Sequence, residues 1–141
     1  MCNIVEEERT ERVKLTIIRG LPGSGKSTYA KNHYNCLILE NDMFHMQDGK
    51  YMWDKDHMPQ AIDWCMETCA NALSLGMDVV VSNTFTKRSS ITKYIELADM
   101  YGADWEVIRC TGKYENVHSV PKYVLESMES RFEDWSGEKI V

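Results

Sequence analysis

The stretch IIRGLPGSGKSTYAK, residues 17–31, decides how the rest of the chain is read. It opens apolar and β-branched, turns through Gly20-Leu21-Pro22-Gly23, and runs on into residues that suit a helix. From Gly20 to Ser27 it fits G-x-x-x-x-G-K-S, a phosphate cradle. Gly20, Gly23 and Gly25 lack the Cβ that would keep the backbone away from a phosphate. Backbone N–H groups then line one concavity, and the following helix adds its positive end. The expected nucleotide-binding set is Gly20, Pro22, Gly23, Ser24, Gly25, Lys26, Ser27 and Thr28. Lys26 sets a point charge on the β- and γ-phosphates, and the Ser27 hydroxyl takes one Mg²⁺ position. The implied cofactors are ATP and Mg²⁺.

Working outward, VKLTIIR (13–19) reads as a buried strand and residues 25–34 as the helix after the cradle. CLILE (36–40) is a second strand, ending in Asn41-Asp42. MFHMQDGKYMWDKDHM reads as irregular, with one turn at Asp48-Gly49. Ile62, Met66, Cys69, Ala70 and Leu73 recur at helical spacing between Pro59 and Gly76. DVVVS (78–82) is a third strand. Ile91, Tyr94, Ile95, Ala98 and Tyr101 mark a helix ending at Gly102, and DWEVIRC (104–110) is a fourth strand. Residues 121–135 are expected as a last helix, with Val124, Leu125, Met128 and Phe132 inward. Strands alternating with helices imply an α/β fold: a three-layer P-loop NTPase sandwich with a small, mostly parallel sheet of four to five strands. Residues 1–12 read as a flexible, acidic lead-in and 13–141 as a single domain.

Composition narrows the function. With 141 residues, 43% apolar and 27% charged, the chain has the make-up of a soluble globular protein. No apolar run reaches the length of a membrane span, and the charged start is unlike a signal peptide, so the expected location is cytoplasmic. A net charge of −6 without a basic run argues against an extended nucleic-acid footprint. Five cysteines, an odd number, suit a reducing compartment. Cys65 and Cys69 lie four apart in an apolar helical stretch with no further ligand pair, which points to core packing rather than to a metal.

The strand ends speak to the chemistry. Many P-loop hydrolases end an apolar strand in an Asp that holds Mg²⁺ through water. Here DVVVS runs into Ser82-Asn83, neither of which carries charge, so any second Mg²⁺ anchor must come from elsewhere. LILENDMF puts Asp42 just past an apolar strand, at the carboxyl edge where ligands bind in open α/β sheets, with Glu40 two residues before it. A carboxylate there accepts the proton of an attacking hydroxyl and helps to hold Mg²⁺. A helix N-cap is the alternative role for Asp42. Tyr51, Trp53 and Trp64 read either as a stacking surface or as packing for the helix that begins near Pro59.

Taken together, RGLPGSGKST, the strand followed by Asp42, GKYMWD, VVVSNTFT and NVHSVPKYVLESMESRFED resemble the polynucleotide-kinase-like P-loop kinases, common in phage and bacterial genomes and often labelled AAA-type ATPases. The resemblance spans nearly all of residues 13–135. It implies that Lys26 and Ser27 hold the nucleotide and that Asp42 is the general base on an acceptor 5′-hydroxyl. His45 falls at the place of an acceptor-contacting arginine, Asn83 at that of an acidic residue near the acceptor, and His118 in the N-V-H-S-V-P segment. The relatives carry a lid helix with an arginine after the fourth strand. CTGKYENVHSVP is too short for it, and Glu115 stands at the arginine's place. Arg88, in the R-F-E position Arg131, and the lysines Lys87 and Lys113 are the substitutes on offer for that charge.

The reading that results is a Mg²⁺-dependent ATP phosphotransferase acting on a hydroxyl, a short nucleic-acid 5′ end or a nucleoside-like group. The alternative is an ATPase or nucleotide-binding module that works through a protein partner. Oligomeric state is not legible.

Overall fold

The computed structural model describes residues 12–47, 50–51, 57–114 and 120–141. Strand β1 (Lys14–Arg19) is buried at five of its six positions. Such a run suits a strand with helices on both sides, and β1 takes the middle of the sheet. The order is β2-β5-β1-β6-β7, formed by β2 (Leu37–Leu39), β5 (Val79–Ser82), β6 (Asp104–Arg109) and β7 (Lys139–Ile140). Every pair in it is parallel, Leu39 lying beside Val81 and Ile18 between Ser82 and Ile108.

Side-chain alternation divides the core into two layers. On one face Ile18, Val80 and Ile108 pack with Ala30 and Tyr29 of helix α1 (Lys26–His33), and Ile38 joins them. On the other, Leu15, Ile17, Leu39, Val79 and Val81 pack with Cys65, Cys69 and Leu73 of α2 (Met58–Ser74) and Ile91, Tyr94 and Ala98 of α3 (Arg88–Met100). Both α2 cysteines are fully buried, and burial pushes the Cys69 thiol up to about 12. Trp64 packs against the same layer. The result is the expected three-layer sandwich, with a five-stranded sheet and four helices among the described residues.

Three local expectations change. The segment after β2 is not wholly irregular. A 3-10 turn covers Asn41–His45, and β3 (Met46–Gln47) pairs antiparallel with β4 (Lys50–Tyr51). The turn expected at Asp48-Gly49 lies outside the described residues, as do Trp53, Glu115, His118 and residues 1–11 of the lead-in. The last helix, α4, stops at Ser130 (Lys122–Ser130), and none of its side chains is fully buried. Phe132 lies beyond it, because residues 131–135 leave the helix to bind the start of α3: Glu133 N–H donates to Thr86 O at 2.8 Å. The chain then adds β7, which the sequence did not reveal as a separate strand.

Candidate functional site

Helix α1 starts at Gly25, whose φ of 91° is left-handed and whose helix has no side-chain cap. Its first N–H groups are therefore left to a ligand, at the positive end of the helix. The cradle is packed from both sides. An added Cβ at Gly20 would meet Cys110 O at 2.7 Å, and one at Gly25 would meet the Tyr114 ring at 2.9 Å. Lys26 Nζ donates to Leu21 O within the same loop at 2.9 Å. Burial lowers the Lys26 pKa, and the negative charges of Glu40 and Asp42 oppose that shift.

The adjoining strand ends bring more groups to this edge. The Ser27 hydroxyl donates to Glu40 Oε1 at 2.6 Å, so an oxygen pair stands at the head of α1. Hard oxygen donors of that kind suit Mg²⁺. Asp42 begins one residue into the 3-10 turn, half-buried. Asn83 Oδ1 accepts from the Asn41 backbone N–H at 2.7 Å, and Asn83 Nδ2 donates to Asn41 Oδ1 at 3.2 Å. This clasp ties β5 to the turn that carries Asp42. The side chain of His45 lies outside the described residues.

The segment that follows β6 lies directly on the cradle. Tyr114 N–H donates to Gly23 O at 2.7 Å. The Tyr114 ring is 72% exposed and is seated over two glycines: an added Cβ at Gly112 would strike the ring and approach Ser24 O at 2.8 Å. Lys113, adjacent in this segment, is exposed. Sequence reasoning passed over Tyr114. Its only signal was a glycine two residues before an aromatic in the shortened segment.

Arginines proposed as substitutes for a lid have other partners here. Arg88 is exposed and donates from Nε to Asp134 O at 2.8 Å, while its backbone N–H is capped by Glu133 Oε1 at 2.7 Å. Arg131 donates to Ser127 Oγ at 2.6 Å. Lys87 is exposed at the entry to α3. A further arginine, absent from the sequence-based candidates, fills the other flank of β1. Arg19 is fully buried and gives its donors to Phe85 O, Glu133 O and Glu138 Oε1. Its guanidinium lies 4.2 Å from the Phe132 ring centre, and that of Arg109 lies 4.5 Å from it. Phe85 itself has φ 46°, a costly conformation for a bulky residue, which the bonds from Arg19 to its carbonyl help to hold.

A family model described as an AAA domain matches residues 15–119. An uncharacterised protein of Pasteurella multocida (strain Pm70) is 32% identical, over 81% of this chain and 73% of its own length. The NEDD4-binding protein 2 of Homo sapiens is 26% identical over 62% of this chain, which spans 5% of that protein. Among solved structures, a chain of the Pnkp1/Rnl/Hen1 RNA repair complex has a TM-score of 0.67 at 21% identity; 86% of this chain aligns with 44% of that one. This chain thus spans less than half of that relative's length. A gluconokinase from Sinorhizobium meliloti gives 0.60 at 21% identity, covering 93% of this chain and 83% of its own. Kti12 of Chaetomium thermophilum, solved with ADP-AlF3, gives 0.65 at 13% identity, covering 90% and 88%.

Proposed function

We propose, since the chain belongs to that AAA-domain family and has the fold of the P-loop kinases, that it transfers the γ-phosphoryl group of ATP to a hydroxyl acceptor, a short nucleic-acid 5′ end or a nucleoside-like group. One observation carries this reading. The Ser27 hydroxyl at the head of the cradle helix donates to Glu40 Oε1 at 2.6 Å, so the strand end that bears Glu40, with Asp42 two residues on, stands beside the phosphate site rather than away from it.

In this reading the loop backbone and Lys26 hold the β- and γ-phosphates, and Lys26 follows the charge that builds as the γ-group transfers. Asp42 takes the proton of the acceptor hydroxyl. The acceptor oxygen bonds to the γ-phosphorus while the bond to the β–γ bridging oxygen breaks, and ADP leaves. Ser27 would hold Mg²⁺, which shields the phosphate charge when bound. The Asn41–Asn83 clasp keeps the Asp42 turn in place. The RNA repair complex among the structural neighbours supports a nucleic-acid end as acceptor. The net charge of −6 favours a short one.

The test is γ-labelled ATP with Mg²⁺ and a panel of 5′-hydroxyl oligonucleotides and nucleosides. Labelled acceptor is expected, reduced ~10²–10⁴-fold by Asp42→Asn while ATP still binds. Free phosphate without labelled acceptor would mean an ATPase, and retained binding without turnover a nucleotide-binding module.

A further inference from the structure

The uncharged end of β5 leaves the question of where a carboxylate for the metal side of the cradle would come from, and the sheet answers it one strand further out. Leu39 is level with Val81, so Glu40 is level with Ser82, the residue that ends β5. Alternation puts Ile38 on the α1 face with Val80, and therefore Glu40 and Ser82 on that face as well. Ser27 opens α1 there, and its hydroxyl meets Glu40 at 2.6 Å. A second, independent sign is Ser82 Oγ, which is buried at 1% exposure and has no hydrogen-bond partner among the described residues. An orphaned hydroxyl at this depth marks a place where a water or polar ligand belongs.

We propose that Glu40, and not Asp42, is the carboxylate that holds the water shell of the nucleotide-bound Mg²⁺ beside Ser27, with Ser82 Oγ bonding to a water of the same shell. The proposal rests on the nucleotide-binding reading above and divides the labour of the two acids. Asp42 is left to the acceptor proton, and Glu40 to the metal. The carboxylate that hydrolases keep on the strand beside β1 comes in this arrangement from the end of β2, and its 2.6 Å contact with Ser27 shows that it reaches the head of α1 from there.

The division is tested by binding, without any turnover. Mn²⁺ serves as the probe, its free fraction read by electron paramagnetic resonance in the presence of ADP, alongside ADP binding in EDTA. For the wild-type chain Mn²⁺ is expected to tighten ADP binding. Glu40→Gln should weaken Mn²⁺ in the ternary complex at least tenfold and leave metal-free ADP binding unchanged or tighter, since a negative charge near the phosphates is gone. Asp42→Asn should change the Mn²⁺ affinity less than threefold. Ser82→Ala should cost a smaller, two- to fivefold loss. Equal Mn²⁺ affinity in wild type and Glu40→Gln overturns the proposal, as does loss in Asp42→Asn instead. Either result leaves the kinase reading standing, which falls only on the labelled-acceptor assay. An unchanged thermal midpoint for Glu40→Gln, whose amide oxygen still accepts from Ser27, shows that the loss is not one of folding.

Discussion

Arg19 and Lys26 are seven residues apart, on either side of the cradle turn, and show two opposite ways to handle a cation near the end of β1. Arg19 is fully buried, with each of its three nitrogens bonded and a carboxylate against it. Lys26 is half-buried and bonds to one carbonyl of its own loop, with uncapped helix N–H groups beside it. Burial lowers the pKa of both, and in each case a glutamate opposes the shift: Glu138 for Arg19, Glu40 for Lys26. The difference lies in spare capacity. A cation bonded at every nitrogen inside the protein holds the fold, whereas one with most of its donors left over has room for a ligand. The same argument explains why Arg19, though close to the cradle in sequence, is not the arginine that a missing lid would call for.

The sharpest way to break this contrast is to exchange the two losses. Lys26→Met is expected to reduce phosphoryl transfer at least ~10³-fold, with a thermal midpoint equal to the wild type's, as measured by label transfer and calorimetry. Arg19→Met is expected to do the reverse and destabilise the chain by ~3–5 kcal/mol in urea unfolding. It takes one of two arginines from the buried Glu138, which keeps Arg109 at 3.3 Å, and removes the Arg19 donors from Phe85 O and Glu133 O. Pairing it with Glu138→Leu should recover part of that loss, and a strictly additive double mutant would count against the clamp.

Smaller effects sharpen the boundary between the two regions. Gly112→Ala places a methyl against the Tyr114 ring and Ser24 O. It is expected to lift the segment that lies on the cradle and weaken ADP binding about tenfold, or ~1.4 kcal/mol, by titration calorimetry. Unaltered binding would mean that the Tyr114 seat is not part of the site. The α2 cysteines provide an alkaline test of the core alone. The folded Cys69 thiol sits at about 12 against 9.0 unfolded, so its stabilisation is complete below pH 9 and is lost as pH rises toward 12. The Cys69 thiol contributes a slope of about 1.4 kcal/mol per pH unit in that window. Cys69→Ala should flatten the stability profile above pH 9.

The cradle was legible because its chemistry is local. Gly20 to Ser27 needs a strand before it and a helix after it, and both declare themselves in adjacent residues. The same holds for β1, β5, α2 and α3, whose apolar spacing is dense. Residues 131–135 were misread for the opposite reason. Phe132 continues the α4 spacing of Val124, Leu125 and Met128, yet it is drawn off by two guanidinium groups from β1 and β6. Those arginines are 113 and 23 positions away in sequence, beyond any window of periodicity. Glu40 was visible as a residue but not as a partner of Ser27. Only the register of β2 beside β5 sets it level with Ser82, on the α1 face.

From its sequence alone this chain determined a phosphate cradle, an α/β alternation and a carboxylate just past the second strand, because each depends on neighbours within a few residues. Tertiary structure decided which charge meets which. The parallel register puts Glu40 at Ser27, the Asn41–Asn83 clasp fixes the turn that bears Asp42, and the return of the C-terminal segment consumes Arg19. Charge and hydrogen bonding act over a few ångströms of space, and strand order, not chain order, sets that distance.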